Sequence, residues 1–178
     1  MTDEASGALR LAVVTPENVR AACRLAVAPA QEKFVAPVMF SLAEAYANVD
    51  TAWPRLVYDG DRLVGFVMAG FDENPEHEAY RSGIWRLNIA ADEQGRGYGR
   101  FAVNAVLAEA RRRGERRVTV SWVEGEGGPA AFYEKLGFRT TGEILDDEIV
   151  AEIFVDDAAA PLDGGPASAP GGAAPPPA

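Results

Sequence analysis

The stretch Gln-Gly-Arg-Gly-Tyr-Gly at 94–99 decides how the chain is interpreted, because it joins a strand pattern to a helix pattern. A β-prone run ends at Ala90, and a helical pattern continues from the glycines to Arg113. Alternating glycines let the chain turn tightly and let a ligand approach the backbone. The unpaired N–H groups of a first helical turn form an anion site suited to pyrophosphate. Arg96 and Arg100 add charged donors for phosphate oxygens.

Other phosphate-binding loops fit this stretch less well. A Walker loop ends in Gly-Lys followed by Ser or Thr, and the stretch has no such ending. The dinucleotide fingerprint, counted from Gly95 and Gly97, requires glycine or alanine where this chain has Arg100. Glu124 closes the next predicted strand, so a nucleotide-binding module stays open, as does a turn without a ligand. Three glycines at a helix start lower helix stability without a packing gain, which favours a ligand.

Strand and helix patterns alternate on both sides of the glycine stretch. Short turns such as 59–61 join neighbouring strand patterns into hairpins, which predicts antiparallel pairing. We predict an α/β (α+β) domain with a mostly antiparallel central sheet of about seven strands, flanked by about four helices. The predicted strands are 9–14, 55–58, 62–70, 80–90, 117–123, 138–145 and 148–155, and the predicted helices are 16–27, 41–48, 97–113 and 129–136.

Composition changes toward both ends of the chain. Residues 157–178 are rich in Ala, Pro, Gly and Ser and hold six of the twelve prolines. Such a segment buries too little apolar surface to offset the entropy of ordering it. We therefore predict a flexible N-terminus at 1–8, one folded domain at 9–156 and a disordered tail at 157–178.

Bulk composition limits which binding partners and which cell compartment are expected. A formal net charge of −10 repels phosphate backbones, which argues against nucleic acid and favours a cationic small molecule. No apolar run approaches the roughly 18 residues that span a bilayer, so no membrane partner is predicted. The N-terminus lacks a secretory pattern, and the single cysteine, Cys23, cannot form an internal disulfide. These features predict a cytoplasmic protein. No metal site is predicted, because His77 and Cys23 lack clustered partner ligands.

A second motif lies one predicted strand after the glycine stretch. Residues 128–138 read Gly-Pro-Ala-Ala-Phe-Tyr-Glu-Lys-Leu-Gly-Phe. In this order and at this separation, 94–99 and 128–138 resemble the acyl-CoA signature and the second motif of the GNAT family of N-acetyltransferases. The resemblance covers about 9–155. The segments 31–35 and 41–46 also resemble bacterial spermine/spermidine (diamine) acetyltransferases.

The resemblance implies a donor site for acetyl-CoA as co-substrate, without a metal. In that family the strand before the glycine loop splays from the next strand. The pantetheine lies in the gap and bonds to backbone groups, as an unpaired strand edge allows. The residues that the resemblance assigns to the cofactor are Leu87, Asn88, Ile89, Gln94, Gly95, Arg96, Gly97, Tyr98, Gly99, Arg100 and Phe132.

The resemblance also implies a reaction in which a neutral amine attacks a thioester and the leaving thiolate takes a proton. Tyr133 is the implied general acid. Related polyamine acetyltransferases carry an acidic base in the slot that holds Trp85 here, so no base is assigned. Water held by backbone groups or by Asn88 is the alternative. An asparagine that binds the cofactor in the family has its counterpart near Glu126, which puts that contact in doubt.

The acceptor implied by the resemblance is a primary amine of a small, cationic, polyamine-like molecule. Carboxylates at 31–32, at Glu44 or in the loop 73–78 could attract such an amine, although each also suits a solvated surface. An aminoglycoside or a protein N-terminus is an alternative acceptor. An acyl-CoA-binding sensor or pseudo-enzyme without turnover is an alternative of another class. Family members often pair, which predicts a homodimer.

Overall fold

The computed structural model describes residues 7–156, which form a seven-stranded sheet with helices on both faces. Residues 1–6 of the predicted flexible N-terminus and the whole predicted tail, 157–178, lie outside the described residues. The strands are β1 (Leu9–Ala12), β2 (Ala52–Asp59), β3 (Arg62–Phe71), β4 (Ser82–Ile89), β5 (Arg117–Trp122), β6 (Arg139–Leu145) and β7 (Glu148–Phe154). The α-helices are α1 (Val19–Arg24), α2 (Val38–Ala47), α3 (Tyr98–Arg112) and α4 (Ala130–Lys135).

The strand order is β1-β2-β3-β4-β5-β7-β6, and every neighbouring pair is antiparallel except β4 and β5. The parallel pairing of β4 with β5 covers only Gly83 with Thr119 and Ile84 with Val120. Beyond these pairs the two strands diverge. The mixed, mostly antiparallel sheet and its splayed strand pair confirm the predicted fold class.

A β-bulge in β4 lies where the divergence begins. Ile84 pairs with Ala69 of β3 and Arg86 pairs with Met68, so Trp85 is an extra residue on β4. An extra residue bends its strand and increases the local twist. A Cβ on Gly70 would lie 2.2 Å from the Trp85 ring, so the ring lies directly on the β3 backbone. The bulge thus turns β4 away from β5.

The sheet buries a separate apolar cluster on each face, and β3 contributes to both. Val67 and Ala69 pack into the cluster under α3 and α4, whereas Phe66 and Met68 pack into the cluster under α1 and α2. Side chains of a strand alternate between the faces of a sheet, so a central strand covered on both sides is apolar throughout. The two clusters give the sheet an α3 face and an α2 face.

Several predicted boundaries differ from the observed ones, and the structure explains two of them. The first helix begins at Val19 rather than at residue 16, because the Asn18 side chain bonds to the Thr15 amide at 2.8 Å and the Val13 carbonyl at 3.0 Å, outside the helix. The second strand begins at Ala52 rather than at residue 55, so Pro54 lies inside β2. β1 covers β2 only from Leu56 onward, so at Pro54 the outer side of β2 needs no N–H donor.

Glu109 in α3 should make stability depend on acidic pH. Its carboxylate accepts hydrogen bonds from Arg112 at 2.7 and 2.8 Å and from Arg113 at 2.7 Å. The Arg112 bonds, followed by those of Arg113, lower the pKa of Glu109 from 4.5 to about 2. Because the folded pKa lies below the unfolded one, this stabilisation is complete above the unfolded pKa and is lost as the pH falls toward the folded pKa.

We expect Glu109→Gln to cost about 1–2 kcal/mol at neutral pH, since exposure of the arginines screens the pair. The difference in Tm between wild type and variant should shrink by about half between roughly pH 5 and pH 3. Thermal unfolding followed by circular dichroism measures both values. A difference that does not change with pH would contradict the assignment.

Candidate functional site

A cleft of about 440 Å³ occupies the gap between the diverging ends of β4 and β5. Four parts of the chain border it: β4, the glycine loop with the start of α3, β5 with α4, and the segment between α1 and α2. Representative lining residues, in that order, are Trp85, Arg86, Leu87, Ile89, Gln94, Gly95, Gly97, Gly99, Arg100, Ser121, Trp122, Phe132, Tyr133, Gln31, Phe34 and Val35.

The β4 backbone turns toward this gap at two of the three predicted positions, Leu87 and Ile89. The Ile89 carbonyl already accepts a hydrogen bond from the Gln94 side chain at 3.1 Å, so only its amide is free there. The Ala90 amide donates to the Val64 carbonyl at 3.0 Å, so Ala90 faces β3. Backbone groups alternate in direction along a strand, so Asn88 also faces β3, whereas Leu87 and Ile89 face the gap. The Asn88 side chain donates to the Ala36 carbonyl at 3.1 Å and does not line the cleft.

The glycine loop has the geometry of an anion site. Gly95 and Gly97 have φ values of +78° and +89°, and a Cβ on either would meet no atom within 4 Å. The first backbone bond of α3 joins the Phe101 amide to the Gly97 carbonyl at 3.0 Å. The amides of 98–100 therefore lack helical acceptors, and their N–H groups are available to an anion. Arg100 lines the cleft beside them.

A network of hydrogen bonds and ion pairs joins the glycine loop to the turn between β2 and β3. Glu93 is only 7% exposed and pairs with Arg96 at 3.0 Å and Arg62 at 3.3 Å. The Tyr98 hydroxyl donates to Asp59 at 2.6 Å, and Arg62 contacts the same carboxylate at 3.1 Å. The Tyr98 hydrogen bond, followed by that of Arg62, holds the pKa of Asp59 below its ordinary value. Arg96 and the Tyr98 hydroxyl thus bond to other parts of the protein and stabilise the loop.

Two contacts connect the loops around the cleft. Gln94 of the glycine loop donates to Gln31 at 2.6 Å, which joins the loop to the segment between α1 and α2. On the far side, a Cβ on Gly125 or Gly128 would lie 3.1–3.4 Å from the Phe34 ring. Residue types at these positions gave no signal for either contact, because the pairs are distant in sequence.

Tyr133 is a buried phenol at the inner end of the cleft. Its ring is 5% exposed and stacks on Trp122 with centroids 5.8 Å apart, while Phe132 and Phe138 pack edge-on at 5.0 and 5.4 Å. Burial raises the pKa of Tyr133, so the hydroxyl keeps its proton at neutral pH. The hydroxyl makes no hydrogen bond to another described residue, which leaves its proton available to a ligand.

The α2 face of the cleft carries a charge pair. Arg86 lines the cleft and bonds to both carboxylate oxygens of Glu44 at 2.9 and 3.2 Å. Glu44, one of the carboxylates considered for attracting a cationic amine, is therefore already paired. The base slot holds the Trp85 ring, as the sequence indicated.

The remaining candidate residues lie away from the cleft. Cys23 is half-buried in α1, and His77 accepts a hydrogen bond from the Ala79 amide at 3.1 Å. Among residues 7–156, no group of three or more His, Cys, Asp or Glu side chains is placed to hold a metal. No helix in the same part of the chain is long and apolar enough to cross a membrane.

Comparisons with known proteins agree with this architecture. A mycothiol acetyltransferase of Geodermatophilus obscurus is 37% identical over 101 residues, which cover 54% of this chain and only 32% of that protein. An acetyltransferase from Thermus thermophilus superposes with a TM-score of 0.64 at 22% identity, covering 82% of this chain and 96% of that one. The spermidine N-acetyltransferase of Vibrio cholerae, solved with CoA and spermine, gives 0.63 at 18% identity, covering 83% and 96%.

A family profile matches the part of the chain that builds the cleft. The match runs over residues 24–138 and carries the description acetyltransferase (GNAT) family. It includes the bulged β4, the glycine loop at 94–99, β5 and the motif at 128–138 that supplies Tyr133. By this match, which spans the splayed strands and both motifs, the chain belongs to the acetyltransferase (GNAT) family.

Proposed function

We propose that the chain transfers an acetyl group from acetyl-CoA to a primary amine. The observation that carries this proposal is the continuous cleft from the α3 start, along the open edge of β4, to Tyr133. It combines an anion site, a strand edge that binds amides, and a proton donor. Acetyl-CoA contains a pyrophosphate, an amide-bearing arm and a thioester in the same order.

Each part of the donor has a proposed partner in the cleft. The amides of 98–100 and the Arg100 guanidinium would bind the pyrophosphate. The backbone groups of Leu87 and the amide of Ile89 would bind the pantetheine amides, since the Ile89 carbonyl is bonded to Gln94. The cleft then brings the thioester to Tyr133, where the ring of Phe132 covers one side. Asn88 and Arg96 have no direct part in this proposal, because their side chains bond elsewhere.

The proposed chemistry is direct attack without an acyl-enzyme. The amine nitrogen forms a bond to the acetyl carbonyl carbon, and the bond from that carbon to sulfur breaks. The sulfur leaves as a thiolate unless it gains a proton, and Tyr133 is the proposed donor. Its raised pKa keeps the phenol protonated at the start of each cycle.

We propose a small cationic, polyamine-like acceptor. The net charge of −10 favours cations in the surrounding field, and the Vibrio cholerae neighbour was solved with spermine. Because Glu44 is paired with Arg86, it is not available to the acceptor. Recognition of the acceptor would therefore depend on other groups. An aminoglycoside or a protein N-terminus is the alternative acceptor.

An acceptor screen tests the proposal. Acetyl-CoA is incubated with spermidine, with an aminoglycoside and with a peptide that has a free N-terminus, and free thiol is measured. We expect thiol release with spermidine and an acetylated product by mass spectrometry. Stabilisation of the fold by CoA without thiol release from any amine would indicate a sensor or pseudo-enzyme. Stabilisation by NAD and not by CoA would indicate a nucleotide-binding module.

The proposal includes a homodimer in the cytoplasm, as the sequence predicts. Sedimentation velocity measures the oligomeric state directly. A single species with the mass of one chain at micromolar concentration would contradict the dimer without affecting the proposed reaction.

A further inference from the structure

Ser121 occupies the point of the cleft where β4 and β5 separate. The last parallel pair joins Ile84 to Val120, so Ser121 is the first β5 residue beyond the pairing, and it lines the cleft. Its hydroxyl donates a hydrogen bond to the carboxylate of Glu148 at the start of β7. We propose that Ser121 accepts the proton of the acceptor amine and passes its own to Glu148. The inference rests on the proposed acetyl transfer and supplies the base that Trp85 does not.

The two faces of the sheet separate this base from the acid. Val120 and Trp122 belong to the cluster under α3, so the side chain of Ser121, between them, points to the α2 face. Tyr133 stacks on Trp122 and therefore approaches the gap from the α3 face. The amine and the sulfur are bonded to the same carbon during the reaction. A base and an acid on opposite faces of one gap can each contact one of them.

The hydrogen bond gives Ser121 the orientation that a proton acceptor needs. Because its hydrogen is directed to Glu148, the lone pairs of Ser121 are free to accept an N–H from the cleft. A serine alone is a very weak base, so the carboxylate must receive the proton. Glu148 is half-buried at the end of the β6–β7 hairpin, from which it can return the proton to water.

These groups account for every proton that moves in the reaction. The ammonium N–H bond breaks, its proton moves to the Ser121 oxygen, and the Ser121 proton moves to Glu148. The neutral amine forms the C–N bond, the C–S bond breaks, and the sulfur takes the proton of Tyr133. The amide nitrogen loses one further proton, which restores the Tyr133 phenol. One proton per turnover reaches water through Glu148.

The test compares amines that need a base with amines that do not. Ethylamine is almost wholly protonated at neutral pH, glycinamide only partly, and trifluoroethylamine is largely neutral. We expect Ser121→Ala to lower kcat for ethylamine on the order of tenfold, with KM for acetyl-CoA unchanged. The loss should shrink along the series and nearly vanish for trifluoroethylamine, because a neutral amine has no ammonium proton to lose.

Glu148 acts through Ser121 and is a positioning residue, so its variants need a matched control. Glu148→Gln should reproduce the Ser121→Ala pattern, and Glu148→Asp should retain more activity. Glu152→Gln is the control, because Glu152 lies on the same strand, pairs with Arg117 at 2.6 Å and does not line the cleft. Its kcat should match wild type for all three amines. Circular dichroism and Tm check that each variant is folded.

Three outcomes overturn the relay. If the wild type turns over and Ser121→Ala has the same kcat, Ser121 takes no part in the reaction. An equal loss for all three amines shows a structural role, since it does not depend on amine protonation. A wild type that binds CoA and releases no thiol with any amine contradicts the proposed function itself, and the relay with it. The wild-type rate therefore separates the two failures.

Discussion

Replacing Tyr133 by phenylalanine should lower kcat by about a hundredfold or more and leave acetyl-CoA affinity nearly unchanged. The Tyr133 hydroxyl bonds to no other described residue, so its removal leaves no partner unsatisfied inside the fold. The ring keeps its contacts with Trp122, Phe132 and Phe138. The change therefore removes a proton donor and little else.

Steady-state kinetics with varied acetyl-CoA and a saturating amine measure kcat and KM for this variant. Tyr46→Phe is the matched control, because Tyr46 is 84% exposed on α2 and undergoes the same chemical change away from the cleft. Its kcat should equal that of wild type. An unchanged kcat in Tyr133→Phe would remove Tyr133 from the mechanism. A large fall in Tm would instead assign the hydroxyl a role in folding.

Gly97→Val should weaken CoA binding by roughly tenfold to a hundredfold. Gly97 has a φ of +89°, and a β-branched residue held in that region costs about 1–3 kcal/mol. The loop relieves this strain by shifting, and a shift moves the amides of 98–100 away from the pyrophosphate. Each 1.4 kcal/mol of lost interaction corresponds to about a tenfold change in Kd.

Gly114→Val separates strain from ligand binding. Gly114 has a φ of +80° beyond the other end of α3, and a Cβ there also meets no atom within 4 Å. Both variants should lose similar stability, whereas calorimetry with CoA should show weaker binding for Gly97→Val alone. Normal CoA affinity in Gly97→Val would refute the loop assignment. Equal losses in both variants would indicate a general loosening of α3.

The elements that sequence patterns predicted well are those with local causes. The strand-to-helix turn at 94–99 needs glycine at positive φ, and Gly95 and Gly97 have it. The two residues between the predicted strands 138–145 and 148–155, Asp146 and Asp147, close the β6–β7 hairpin with φ values of +50° and +65°, which aspartate tolerates better than most residues. At each of these positions the residue type favours the observed backbone conformation, so the turn can be predicted from the sequence without knowing the fold.

Helix and strand ends were predicted less well where a side-chain contact or the position of a neighbouring strand outweighed the propensity of the residues themselves. The Asn18 side chain bonds to the chain at Thr15 and Val13, and the first helix begins at Val19 rather than at residue 16. Pro54 continues a strand because β1 does not reach it. Neither cause is visible in a residue's own propensity, since each depends on a contact that forms only in the folded chain.

The sequence alone determined the class of fold, the glycine loop and the motif that contains Tyr133, because hydrophobic period, glycine placement and motif order are properties of short segments. Only the tertiary structure decided which side chains meet. Asp59 reaches Tyr98 across 39 residues, Glu44 reaches Arg86 across 42, and Ser121 reaches Glu148 across 27. Strand order, register and the bulge in β4 create these pairs. Such long-range geometry depends on how the whole sheet packs, and no local pattern records it.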